Sequence, residues 1–586
     1  MANKGFTGAQ KQYLEGLASG LRLARRKAPS ASPPRPEQAA WDAQDRVVFS
    51  GQRLSPEEKA KRRRPPEELW PRMAQLAREG RFPEGEEVFL YKFHGLFYVS
   101  PVEEAFMCRL RFAGGRMPAY QLRGVADLAE RHAHPVIQLT TRSNLQLRGI
   151  GPSSALDVLS GLSDLGIVNR GVGADAVRNI NANPTAGFDR RELIDAGMYA
   201  RQAHHRILSD RSLSALPRKL TVAFDGGGAV GALPETCDVG FRAVSVLDDA
   251  GVPPGVYFRL LLGGATSHAR YGRDSGLLVA PERALDVLEQ VLQIYIEHGD
   301  RTNRRRARLV YLLESWGMQR FIAELQSRLS RLWRTADAGT DPETLPVLPL
   351  ERCRLPEPAD PWAHIGFHNQ KPRGKSYVGV TLVNAQLSVE QARGLADIAE
   401  EYGASELRLT PHQNLLLPGL PDTQLHRVKE ALSKLSLRWI ASPFRSGLIS
   451  CTGSAGCQFA AADAKQRGEE LVRHLEAQFK LEQPLTIHIS GCHHACAQHL
   501  IADIGLLASR DPMTENDPER YQLWLGGHVT NNPRFGREFA SDVPASDVPR
   551  VIGGVVANYL ERRRPEESFR DFVGRDAHLA LGDSHG

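Results

Sequence analysis

The 586-residue chain is 41% hydrophobic and carries 74 Lys and Arg against 68 Asp and Glu, a net charge of +6; that is enough apolar material for several cores and three or four domains of ordinary size. It contains no run of eighteen apolar residues and no apolar secretory stretch at its start, which excludes a helical membrane protein and predicts a cytoplasmic location. Seven cysteines, four of them between residues 451 and 496, do not make a disulfide framework for a chain this long and point instead to metal ligation.

Along the chain, Tyr13, Leu14, Leu17 and Leu21 fall at helical spacing and predict a helix over 6–27, closed by Arg25, Arg26 and Lys27. Residues 28–66 are rich in Pro, Ala and charge and predict an extended or loosely packed arm, so that 1–84 form an N-terminal helix and arm. From about residue 85, short β runs alternate with amphipathic helices, the pattern of a mixed α/β (α+β) protein.

The chain then repeats itself. Residues 121–150 align without gaps on 391–420, with thirteen of thirty positions identical. Each copy reads as a helix, a strand, a tight turn about Asn144 or Asn414 and a second strand, after an earlier strand at 106–112 or 376–383. LTVAFDGG (220–227) matches LTIHISGC (485–492), and FRLLLGG (258–264) matches YQLWLGG (521–527). A duplication of roughly 200 residues predicts two related halves packed about a pseudo-two-fold axis. The halves have diverged in kind. Arg109, Arg111, Arg142 and Arg148 stand opposite Gly379, Thr381, His412 and Pro418, whereas Cys492 stands opposite Gly227 and Cys451 opposite Ala182 or a close neighbour. One half is equipped to hold anions, the other a metal centre.

Cys451, Cys457, Cys492 and Cys496 form C-x5-C-x34-C-x3-C. Four thiolates suit an iron-sulfur cluster or zinc, and unliganded buried thiols are the third reading; the five-residue spacing leans to a cluster. Arg109 and Arg111 alternate on one strand and are expected to share a face, Arg142 and Arg148 flank a turn, Arg178 follows a loop, and Lys219 precedes a strand. The run RTNRRRAR (301–308) reads as a nucleic-acid patch, a solvated helix start or a carboxylate clamp. There is no G-x-G-x-x-G between a strand and a helix and no Walker loop, so electrons would come from outside the chain. His488, His493, His494 and His499 read as structural neighbours of the cysteines.

These residues resemble the nitrite and sulfite reductase haemoproteins. The matching stretches are FMCRLR (106–111), LTTRSNLQLRGI (139–150), AVRNINANPTAG (176–187), LPRK (216–219), RLLLGG (259–264), SELRLTPHQNLLLPG (405–419), CTGSAGC (451–457), GCHHACAQH (491–499) and ADIGLL (502–507), in order over about 85–575. The resemblance implies duplicated ferredoxin-like half-domains (85–170 and 360–440), a first sirohaem and substrate-binding domain (171–345) and a [4Fe-4S] and sirohaem domain (441–575). It implies a [4Fe-4S] cluster on Cys451, Cys457, Cys492 and Cys496, with Cys496 also bound to sirohaem iron. Arg109, Arg178 and Lys219 would face the substrate; Arg111, Thr140, Thr141, Arg142, Asn144, Gln146, Arg148, Arg301, Arg304, Arg305 and Arg308 would hold the sirohaem carboxylates, which guanidinium forks pair with bidentately.

The expected reaction is six-electron reduction of nitrite to ammonium by a monomer, with an acidic ferredoxin-type donor and no nucleic acid or membrane partner. Sulfite reductases of this family carry a second lysine two places after the one matching Lys219, and assimilatory nitrite reductases tend to have Asn there. This chain has Thr221, expected to face the same pocket as Lys219. Fewer cations suit nitrite. Sulfite reduction is the alternative, with a precorrin-3B synthase-like monooxygenase or a zinc-stabilised nucleic-acid-binding protein, gripping phosphates through 22–27 and 59–64, more distant.

Overall fold

The duplicated segment builds two five-stranded antiparallel sheets that exchange strands. In the computed structural model, which describes residues 37–247, 251–336, 344–510, 519–529 and 533–575, the first sheet runs β1 (Leu96–Val99), β2 (Ala105–Arg109), β5 (Asn144–Ile150), β4 (Val136–Thr140) and then β14 (Gln386–Ser388) from the other copy. The second runs β12 (Gly366–Asn369), β13 (Lys375–Val380), β16 (Leu415–Pro421), β15 (Glu406–Leu409) and then β3 (Arg116–Pro118) from the first copy. Leu387 pairs with Ile137, and Met117 with Leu407.

The helix of each copy covers its sheet with an apolar stripe. Ala119–His132 buries Leu122, Val125, Ala126 and Ala129, and Val389–Glu401 buries Ala392, Leu395, Ala396 and Ala399, the i, i+3, i+4, i+7 spacing of an amphipathic helix. Each helix also carries a glycine where a neighbour presses in: a Cβ at Gly124 would lie 2.4 Å from Leu165, and one at Gly394 would lie 2.5 Å from Leu435. The helices lie together, and their exposed edges trade ion pairs. Arg123 reaches Asp397 and Glu400, while Arg393 reaches Asp127 and Glu130. One continuous core spans both copies, the expected pseudo-two-fold arrangement.

A second pair of sheets repeats one topology. β6 (Asn181–Ala182), β7 (Val222–Asp225) and β8 (Val239–Val246) are parallel, and β9 (Gly255–Leu262) and β10 (Arg273–Val279) follow antiparallel. β17 (Leu448–Ser450), β18 (Ile487–Ser490) and β19 (Ile504–Ser509) are likewise parallel, with β20 (Arg520–Leu525) and β21 (Arg537–Pro544) antiparallel. Phe224, Phe241 and Phe258, all fully buried, fill the first of these cores. Thus β6 and β17, and β7 and β18, bring their loops to matching places, where the site forms.

The N-terminal segment corrects an expectation. Residues 28–66 read as a loose arm, but from residue 37 they fold into helices Gln38–Phe49 and Pro56–Arg63. Ser55 caps the second helix by accepting from the Glu58 amide, and Lys61 is buried, donating to Glu58, to Asp175 at 3.2 Å and to the Leu216 carbonyl at 2.8 Å. Charge in the sequence signalled solvent; here it marks a buried ionic seam, so 59–64 is not a free phosphate-binding arm. The helix expected over 6–27 lies outside the described residues, as does 22–27. Among the described residues no helix is long and apolar enough to cross a membrane.

Candidate active site

Four cations of the first half converge with no carboxylate in contact among the described residues; Asp175 reaches Arg178 only at electrostatic range. Arg109 ends β2 with its guanidinium over Phe97, 4.5 Å from the ring centre. Arg142 occupies the β4–β5 turn, its amide held by the Thr140 hydroxyl at 3.3 Å and its carbonyl by the Asn179 side-chain amide at 2.9 Å. Arg178 is buried, and its guanidinium donates only to backbone carbonyls, Val172 at 3.1 Å and Ala174 at 2.7 Å. Lys219, half-buried, lies just before β7. None of the four makes an ion pair among the described residues.

Their mutual repulsion is visible in their acidities. Burial and then Arg142 and Arg148 pull Arg109 down to about 10. Burial and Arg109, opposed in part by Asp175, lower Arg178, and burial, Arg308, Arg142 and Arg178 lower Lys219, both well below their ordinary values. Cations crowded in low dielectric, with only Asp175 and the Cys496 sulfur opposing them at electrostatic range, favour a bound anion. A polycarboxylate macrocycle and a small oxyanion both meet that need, so the donor set fits the expected group and substrate.

The cysteines border this pocket. Thr141 in the same turn donates its hydroxyl to the Cys496 carbonyl at 3.1 Å, and the Cys496 sulfur lies within electrostatic reach of Arg109. Cys451 follows β17 and accepts from the Gly491 amide at 3.1 Å; Cys492 and Cys496 lie in the loop after β18, where His494 Nδ1 is 3.5 Å from the Cys492 sulfur. Cys451 feels Cys496 and Cys457, and Cys492 feels all three others. Burial pushes Cys451 up to about 11 and Cys492 up to about 12, a cost to thiolates that bound iron offsets. The four thiols are thus mutual electrostatic neighbours on the loops after β17 and β18, a donor set whose chemistry fits the expected [4Fe-4S] cluster. Cys108, Cys237 and Cys353 are not among the cysteines that act on Cys451 or Cys492. Cys108 is buried, accepts from Asn169 at 3.1 Å and is pushed up to about 12 by burial.

Several residues expected to hold the macrocycle are engaged elsewhere. Arg109 and Arg111 do not share a face, because β2 ends at Arg109 and Arg111 turns to the Val177 carbonyl at 2.7 Å beside Arg170. Asn144 is buried and bonds the Leu110 carbonyl. Gln146 accepts from Arg148 at 3.4 Å, and Arg148 holds Glu103 at 2.8 Å and the Gly456 carbonyl, bracing the Cys451–Cys457 loop. The basic run is tied down almost throughout. Arg301 is sealed against Glu58 at 2.7 Å, Arg304 forks onto Asp175 at 2.8 and 2.9 Å, and Arg308 forks onto Asp238 at 3.0 and 2.7 Å. Of the expected residues in that run, Arg305 is exposed and makes no ion pair among the described residues.

Thr221 is also corrected. It is fully buried, and its amide and hydroxyl both donate to Asp238 Oδ2 at 2.8 Å. It therefore sits behind the pocket and not in it, and a lysine there would break the Asp238 contact rather than add a cation beside substrate. Sequence reasoning passed over Arg218 and Asp175. Arg218, adjacent to Lys219 in LPRK, adds its charge to the cluster and lies 3.6 Å from Asp175.

Comparison with known proteins shows the family and the fold. A family model described as the nitrite and sulphite reductase 4Fe-4S domain matches residues 173–332 and 444–575, and a nitrite/sulfite reductase ferredoxin-like half domain matches 99–165 and 368–435. The ferredoxin–nitrite reductase of Synechococcus elongatus is 30% identical over 80% of this chain and 89% of its own. An assimilatory ferredoxin-dependent nitrite reductase of Haloferax mediterranei is 30% identical over 84% and 86%. A ferredoxin sulfite reductase of Mycolicibacterium paratuberculosis is 28% identical over 80% and 82%. The solved Mycobacterium tuberculosis NirA protein superposes with a TM-score of 0.81 at 25% identity, covering 91% of this chain and 99% of that one.

Proposed function

The chain belongs to the nitrite and sulphite reductase family, and on that premise we propose that it reduces nitrite to ammonium with electrons from an acidic ferredoxin-type protein. The observation that carries the reading is the convergence of Arg109, Arg142, Arg178 and Lys219, none of which makes an ion pair among the described residues. When bound, sirohaem coupled to the [4Fe-4S] cluster would relay to the substrate, one at a time, the six electrons that the donor protein delivers. The protein's part is electrostatic. Arg109, Arg178 and Lys219 hold the oxyanion and stabilise charge as N–O bonds break. Lys219, its acidity raised by burial and by neighbouring arginines, gives up a proton more readily than an exposed lysine, which suits it to protonate departing oxygen. Arg142, with Thr141 on the Cys496 carbonyl, is the best-placed clamp for a macrocycle carboxylate.

Nitrite is placed before sulfite because the relatives at 30% identity are named nitrite reductases and the sulfite reductase is at 28%. The net charge of +6 suits an acidic donor. A single chain supplies the pseudo-two-fold contact that a dimer would otherwise provide, which favours a monomer, and a cytoplasmic location follows from the same reading.

Steady-state kcat/KM for nitrite and for sulfite on purified, coloured protein with a chemical reductant tests the substrate. Nitrite should lead; a higher value for sulfite overturns the choice. Cys496→Ser should lose both centres, whereas Ala at Cys108, Cys237 or Cys353 should keep the colour. Full iron and sirohaem in the Cys496 variant would contradict the ligand assignment.

A further inference from the structure

The cysteine half contains a buried lysine that the chemistry above does not use. Lys465 is the second residue of the helix Ala464–Gln478, whose N-cap Asp463 accepts from the Gln466 amide at 3.2 Å. The Lys465 side chain is buried, and its Nζ has no hydrogen-bond partner among the described residues. An ammonium stripped of water with no acceptor is strongly disfavoured unless an anion answers it. Its electrostatic neighbours are Arg148, which repels it, Asp463, already engaged as the cap, and the Cys451 sulfur. Burial pushes Lys465 down to about 8, so it remains a cation at neutral pH.

The backbone places this charge against the cluster loop. A Cβ at Gly453 would lie 2.6 Å from the Ala464 amide nitrogen, and the Ser454 amide donates to the Ala462 carbonyl at 2.8 Å. The Cys451–Cys457 loop therefore rests on the first turn of this helix, where the free amides already carry partial positive charge. Duplication supplies the control. The helix Ala196–Ser209 in the first half has the same cap, Asp195 accepting from the Met198 amide at 3.3 Å, but the residue in the place of Lys465 is Gly197. The lysine is present in the copy that holds the thiols and absent from the copy that lacks them.

We propose that Lys465 is a positioning residue for the [4Fe-4S] cluster: its ammonium is the built-in counter-charge of the thiolate cage and favours the cluster's reduced state. The inference rests on the cluster reading given above. In the step it biases, one electron passes from the donor protein to the cluster; no bond forms or breaks, and the proton stays on Nζ.

The test uses Lys465→Met, which removes the charge at similar volume, and Lys465→Arg, which keeps it. Iron and acid-labile sulfide are assayed first, then the reduced-to-oxidised ratio of the cluster is followed by EPR during a redox titration. The Met variant should retain its cluster and show a ratio about tenfold lower at a fixed poise, equivalent to about 59 mV for a one-electron couple; the Arg variant should return the ratio to that of the parent. Cluster loss in Met with retention in Arg also supports a charge role. Loss in both variants, or a full cluster in Met with an unmoved ratio, assigns Lys465 to packing and overturns the proposal alone. Parent protein devoid of iron and sulfide would overturn the cluster reading and this inference with it.

Discussion

Thr221 and Thr486 occupy equivalent places in the two copies, and both do the same thing. Each donates its amide and hydroxyl to one carboxylate oxygen, on Asp238 at 2.8 and 2.8 Å and on Asp503 at 2.9 and 2.7 Å. Each aspartate amide answers by donating to the threonine hydroxyl, at 3.0 and 2.8 Å. The clamp has been kept in both copies, but its charge partner has not. Arg308 forks onto Asp238, whereas Arg570 and Arg534 reach Asp503 only at electrostatic range, and burial raises the Asp503 carboxyl above its usual value. Backbone scaffolding was inherited and charge diverged. In the first half, Arg301, Arg304 and Arg308 carry their own carboxylates, whereas Arg109, Arg178 and Lys219 make no ion pair among the described residues and are the ones we assign to ligand.

The sharpest way to break this comparison is to neutralise the two aspartates. Asp238→Asn strips Arg308 of its buried partner and should destabilise by about 3–5 kcal/mol, the usual cost of opening a buried pair. Asp503→Asn keeps an acceptor for Thr486 and removes no ion pair, so it should cost about 1 kcal/mol, the scale of one hydrogen bond. Urea unfolding of both variants decides the matter, and equal costs would mean that Arg308 contributes nothing beyond the shared clamp.

Lys219→Met should next lower kcat/KM for nitrite by about 10²–10³-fold, the effect of removing one oxyanion donor, with sirohaem and iron content unchanged. The second half has Pro484 in that place and His412 in the place of Arg142; substituting His412 should leave the reaction alone. A turnover loss on His412→Phe as large as that of Lys219→Met would show that both pockets serve the reaction.

His412 gives the comparison a pH dependence. It stacks on His364 with ring centres 4.1 Å apart. Burial lowers His412 to about 4, and burial with His412 and His368 lowers His364 well below its ordinary value. Unfolded histidine takes up its proton near about 6.5. The stability due to these neutral rings is therefore full above that pH and is lost as pH falls towards 4, by about 1.4 kcal/mol per unit for each ring. In His412→Phe the acid limb of urea midpoint against pH should be shallower by one proton; an unchanged limb would remove His412 as a source of acid lability. The smallest effect belongs to the exposed pairs: Arg123→Ala and Arg393→Ala should shift the unfolding midpoint little and equally, since the pairs are related by the pseudo-axis and screened by solvent. Unequal shifts would show that the helix contact is not symmetric in energy.

Much of this was legible in the sequence. Thirteen identities in thirty residues announced the duplication, and comparing the copies against each other picked out Arg109, Arg142 and the cysteines without any other protein. What stayed hidden was the pairing of charge across long separations. Arg301 meets Glu58 from 243 residues away, and Arg308 meets Asp238 from 70, so the basic run looked available for a ligand when most of it was already neutralised. The N-terminal helices were hidden for the same reason, since nothing local distinguishes Lys61 as buried. Thr221 misled because alternation along a strand assigns a face, but not whether that face meets a pocket or a buried carboxylate.

The exchange of β3 and β14 has a consequence for how such a chain arises and how it can be dissected. Each copy lends its neighbour an edge strand and receives the same strand back, which is the geometry of a domain-swapped homodimer whose subunits have been fused by a linker. Cut the fusion and each fragment exposes an unpaired sheet edge at β4 or β15, a template for aggregation; neither fragment is a domain in the folding sense. Fusion also ended an obligation. Two identical subunits must carry identical sites, but two joined copies under one reading frame are free to differ, so one could discard its arginines while the other kept them and did without thiols.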